Sequence, residues 1–181
     1  MASKKILNSY RSIEILFFIF FILIAYVLPL TNLLQIDFLK KYVAWYMGHF
    51  FMLNVIATRS HDYDGYSIFF SLSALLIIPA TYFFIKLPIY FYQVRISRNK
   101  LRYILGYTFF MPAFIFLIVF TLSSNIVEVD RHNFIGLIIA LAAYSKPLLI
   151  VLFGSLYLGL ALFLAITITW FFCFRQILKG I

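Results

Sequence analysis

Histidines and acids are the side chains with which this chain could hold a metal or move a proton, and it has few of either. The histidines are His49, His61 and His132, and the acids near two of them are Asp62, Asp64, Glu128 and Asp130. Loops that brought these together would have the donors for zinc or a hard cation. Their spacing follows no ligand pattern, so the expectation is a solvated surface with no metal and no cofactor. A haem needs histidines inside membrane spans, and none falls within the spans assigned below. Cys173 is the single cysteine, which excludes an internal disulfide and dithiol chemistry. No GxSxG, HExxH or phosphate-binding glycine loop occurs. The hydroxyls inside apolar runs (Ser71, Ser73, Thr81, Thr108, Thr121, Thr167 and Thr169) suit hydrogen bonds between helices better than catalysis. The expectation is a protein that is not an enzyme.

The elements that must position these residues are apolar. The 181-residue chain is 65% hydrophobic and 12% charged, with a mean hydropathy of +1.02. A soluble domain carries roughly 25% charged residues. So few polar groups cannot cover a water-facing surface, and lipid must be the solvent. The formal charge of +9 sits beside apolar runs, which points to orientation signals and anionic lipid rather than to nucleic acid.

A helix needs about 20 apolar residues to cross a bilayer. Four runs qualify, at 13–34, 67–86, 101–123 and 147–172. The first is too long for a signal peptide and no small-x-small site follows it, so it reads as an uncleaved span. Pro29 lies in its last turns. Pro79 and Pro88 are expected to bend or end the second run, and Lys146-Pro147 marks the start of the fourth. Two shorter stretches, 42–57 and 134–143, are expected to be interfacial helical segments. In the first, Tyr42, Trp45 and Tyr46 suit the headgroup level.

The stretch Val94 to Arg102 sets the orientation. Arg95, Arg98, Lys100 and Arg102 lie within it with no acid. Basic loops stay cytoplasmic, which places both termini inside. Lys4, Lys5, Arg11, Lys86, Arg175 and Lys179 then join the loop on the inner face, with Glu14 as the only acid. The outer side holds equal numbers of each sign, so the inner face carries the whole net charge. The expected fold is all-α: a single polytopic membrane domain over 1–181 with four transmembrane helices, both termini cytoplasmic, and interfacial segments on the outer side.

The last span carries a packing pattern. Gly154, Ala161 and Ala165 share one helix face, and Ser155 and Gly159 form a small-xxx-small pair on an adjacent one. Small residues let helix backbones approach closely. Such a face serves internal packing or the docking of a partner's transmembrane helix.

Around Arg98-Asn99 and Leu101-Arg102 a basic cytoplasmic turn runs into a third span that contains Pro112. Together with the four-span layout, this resembles the immunity proteins of colicin-A-type pore-forming bacteriocins. The resemblance implies an inner-membrane protein without catalysis that intercepts a toxin's pore-forming domain within the bilayer. Its partners would be membrane lipid and a membrane protein. Two other functions fit the composition: an accessory subunit of a larger respiratory or transport complex, and a small channel or carrier. The last lacks the mid-membrane charges that ion coupling uses.

Overall fold

The structure, a computed structural model, describes residues 2–31, 33–86, 112–116, 118–119 and 140–179, with side chains over 12–31, 34–86, 112–116, 118–119 and 140–169. Every regular element among them is helical. They are α1 (Ala2–Tyr26), 3-10 turns at Leu28–Leu30 and Leu33–Gln35, α2 (Asp37–His49), α3 (Phe51–Arg59), α4 (Tyr63–Leu75), α5 (Ile77–Lys86) and α6 (Lys146–Lys179). Residues 112–116 and 140–144 are also helical.

Three of these stretches are long and apolar enough to cross a membrane: Ser12–Leu30, Tyr63–Lys86 and Lys146–Thr169. They fall on the first, second and fourth apolar runs. Most of the run at 101–123, most of 134–143, and the loop with Arg95, Arg98, Lys100 and Arg102 lie outside the described residues.

Proline sets the breaks. Pro29 has no N–H for the Ala25 carbonyl and its ring crowds that oxygen, so α1 stops at Tyr26 and Leu28–Leu30 tightens into a 3-10 turn. Pro79 acts on the Leu75 carbonyl in the same way, and the second apolar run breaks between α4 and α5 at Leu76. Pro147 sits in the first turn of α6, where its missing donor costs nothing. Asp62 caps α4, its Oδ1 accepting from the Gly65 N–H at 3.0 Å. A side chain at Gly65 would run into that carboxylate, so glycine lets the cap close.

The core lies between α1, α4, α5 and α6 and is aromatic. Phe21 of α1 meets Phe69 of α4 and Tyr157 of α6, each with ring centroids 6.4 Å apart. Phe70 packs edge-on to Phe153 at 5.0 Å. Such pairs contribute about 0.5–1.5 kcal/mol each beyond the area they bury. At α5, the Thr81 hydroxyl donates to the Ala161 carbonyl at 3.3 Å, close to the α6 backbone. The opposite face of α1, with Ile15, Leu16, Ile19 and Phe20, is exposed.

These contacts fix the helix directions. Tyr26, at the end of α1, lies beneath Lys146 at the start of α6, 5.8 Å from ring centroid to Nζ. Lys146 in turn pairs with Asp62 at the start of α4, 2.7 Å apart. Further along, Phe17 meets Phe83 of α5. So α1 runs antiparallel to the α4–α5 span and to α6, and those two run parallel.

Candidate functional site

The small residues of α6 divide by face. Gly154 is buried against α1: a Cβ there would lie 2.9 Å from Phe21 Cδ2 and 3.4 Å from Phe18 Cε1. Ala161 and Ala165 are fully buried. The face spaced by seven and four therefore lies inside the described bundle, where small size lets α1 and α5 approach. Ser155 is exposed and Gly159 half-buried. A Cβ at Gly159 meets nothing within 4 Å. The close helix approach that its spacing suggests is not made by any described residue, and the Ser155–Gly159 pair turns away from α1.

A second constellation joins α2, α4 and α6 through tyrosine hydroxyls. Tyr157 stands in the middle of an apolar helix and is 2% exposed. Its hydroxyl donates to the Phe70 carbonyl at 3.1 Å. The Tyr46 hydroxyl lies 3.3 Å from that of Tyr157. A hydroxyl has one hydrogen, and Tyr157 has used its own, so Tyr46 donates to Tyr157. Beside them the Tyr42 hydroxyl donates to the Ser71 carbonyl at 3.0 Å, and the Ser71 hydroxyl to the Ser67 carbonyl at 2.7 Å. The network contains no charge and no strong base. It ties α2 and α6 to α4.

α2 thus splits its aromatic residues. Trp45 faces outward at 56% exposure, Tyr42 is half-buried and Tyr46 is buried. The sequence groups Tyr46 with the other two at headgroup level, whereas its side chain points into the bundle. At about 3.6 residues per turn, Tyr42 and Tyr46 share a face and Trp45 stands off it. The inward face also carries Val43 and Met47, and that apolar pair was the available signal. Tyr157 was missed as well. A tyrosine deep in an apolar run needs a partner for its hydroxyl, and that need was its signal.

The third feature is the ion pair between Asp62 and Lys146. The hydrogen bond from Lys146 is the main cause that holds the Asp62 carboxyl below the usual carboxylate range. Burial opposes it and the Gly65 N–H assists. Of the histidines, His49 has Nδ1 2.8 Å from the Trp45 carbonyl, and the His61 ring lies tilted against Tyr144 at 6.0 Å. His132 lies outside the described residues. Among the described residues no group of three metal-binding side chains converges.

No protein-family model, curated protein or solved structure matches this chain.

Proposed function

We propose that this chain is a four-span integral membrane protein with both termini cytoplasmic, and that it acts without catalysis by binding a partner inside the bilayer. The partner we favour is the pore-forming domain of a toxin, which the chain would intercept as an immunity protein of a bacterial inner membrane.

Two features support the topology. The Tyr26–Lys146–Asp62 cluster gathers the end of α1 and the starts of α4 and α6 at one face. The chain between Lys86 and Lys146 must then return from the far end of α5 to the near end of α6. The apolar run at 101–123 has the length for that return. The basic residues Arg95, Arg98, Lys100 and Arg102 precede it, at the end that the positive-inside tendency assigns to the cytoplasm.

The observation that carries the partner reading is the Ser155–Gly159 pair on α6, whose close approach no described residue makes, although Phe114 packs on Phe163 one turn further along. It offers a foreign helix a close backbone approach, in a span whose other small residues are used internally. The test is protection. Cells expressing the chain should keep their potassium when challenged with a pore-forming toxin domain, and Gly159→Leu should abolish that protection while the protein still accumulates in the membrane. A variant that protects as well as the parent would show that this face is not the docking site. Failure of the parent to protect against any pore-forming domain would remove the immunity reading.

A further inference from the structure

The depth of α2 in the bundle follows from its hydrogen bonds. The Asp62–Lys146 pair marks the charged end of the spans. Ser71, whose carbonyl takes the Tyr42 hydroxyl, lies eight residues beyond Tyr63, and Phe70, whose carbonyl takes the Tyr157 hydroxyl that Tyr46 in turn meets, lies seven. At about 1.5 Å per residue they stand about 10–12 Å below that end. The apolar core of a bilayer is about 30 Å thick, so one leaflet is about half of that. Both Tyr42 and Tyr46 point toward this depth, which draws α2 into the leaflet. α3 follows beside α4, with Leu53, Ile56 and Ala57 fully buried.

The other side of α2 has its own chemistry. Phe38, Lys41 and Trp45 are spaced by three and four residues and form one stripe. Phe38 is 80% exposed, and Lys40 and Lys41 are exposed beside it. Leu30 and Ile36, on the turns that lead from α1, are exposed too. The stripe is therefore continuous in chain and character with the apolar surface of a span. Aromatic rings with lysines at their rim match a phospholipid, whose acyl chains take the rings and whose phosphate takes the ammonium groups.

We infer that α2 and α3 form a wedge set into the bilayer leaflet nearest the Asp62–Lys146 pair, with Phe38, Lys40, Lys41 and Trp45 as a phospholipid-binding surface. Tyrosine hydroxyls fix the inner side of the wedge to the bundle, and lipid covers its outer side. The inference rests on the reading of the three apolar helices as membrane spans.

Fluorescence tests it. With Trp170→Phe, Trp45 is the only tryptophan, since the chain has two. The full chain is reconstituted into phosphatidylcholine–phosphatidylglycerol vesicles that carry bromine high or low on the acyl chains, with iodide as the aqueous quencher. Loss of Trp45 emission to acyl-chain bromine, strongest for the upper label, is expected, with little loss to iodide. Quenching by iodide alone overturns the wedge by placing Trp45 in water. Quenching by neither overturns the lipid assignment, since another protein or a second copy then covers the face. Lys40→Gln with Lys41→Gln should remove the emission shift produced by adding phosphatidylglycerol to phosphatidylcholine vesicles, and an unchanged shift overturns the role of the lysines. Carbonate washing separates this from the reading beneath it. A chain that washes off refutes the spans, whereas a retained chain with iodide-quenched Trp45 refutes the wedge alone.

Discussion

Replacing Gly154 and Gly159 separately by alanine isolates one physical term. Both substitutions add one methyl to the same helix, and both gain about 1 kcal/mol of helix propensity over glycine. Their surroundings differ. At Gly154 the new Cβ sits 2.9 Å from Phe21 Cδ2 and 3.3 Å from its Cε2. Phe21 is 1% exposed and is held by Phe69 and Tyr157, so it cannot yield without disturbing both rings. Overpacking of this kind costs about 1–3 kcal/mol. The net effect of Gly154→Ala is therefore a loss of about 0–2 kcal/mol. At Gly159 the methyl meets nothing within 4 Å, and the propensity gain stands alone. Propensity cancels in the comparison, so the two variants should differ by about 1–3 kcal/mol, with Gly154→Ala the less stable. Reversible unfolding in mixed detergent–dodecyl sulfate micelles, followed by far-ultraviolet circular dichroism, measures the difference. A Gly154→Ala variant as stable as Gly159→Ala, or more so, would refute the assignment of these two faces.

Two further predictions come from the polar contacts. Tyr157→Phe leaves the buried Tyr46 hydroxyl without its acceptor and should cost about 1–3 kcal/mol. Tyr46→Phe keeps the bond from Tyr157 to Phe70 and should cost about 0.5–1.5 kcal/mol; the same unfolding assay ranks them, and the reverse order would contradict the donor chain. The depressed folded-state pKa of Asp62 means that its contribution is present above the unfolded carboxylate value, near ~3.9, and is lost as pH falls through the folded value. Because the pair is partly exposed, its side chains being 31% and 40% accessible, the effect is screened to about 0.2–1 kcal/mol. Asp62→Asn, which retains a capping side chain, should lose that increment at neutral pH and converge on the parent below the folded value, and parallel pH profiles would remove the ion pair from the account.

Three of the four apolar runs were legible as helices long enough to cross a membrane because length and hydropathy decide that: the second and fourth runs begin within a few residues of α4 and α6, and the breaks at Tyr26 and Leu76 follow from Pro29 and Pro79. Which neighbour each face meets was not legible. Gly154 and Gly159 carry the same residue on adjacent faces of one helix, and only the placement of Phe18 and Phe21 on α1 distinguishes them. The stretch 42–57 was readable as helical and aromatic. The inward turn of Tyr46 depends on an acceptor contributed by α6, far along the chain, and no proline marks the break at Phe50. The candidate docking face was present in the spacing of Ser155 and Gly159, but that spacing alone does not tell an internal contact from an outward one.

Extraction in mild detergent followed by affinity purification and mass spectrometry tests the central claim most directly. An intercepting protein should be recovered without fixed protein partners and should capture a pore-forming toxin domain when one is added. Recovery of the chain in constant proportion with the subunits of a larger membrane complex would contradict that claim and make it an accessory subunit.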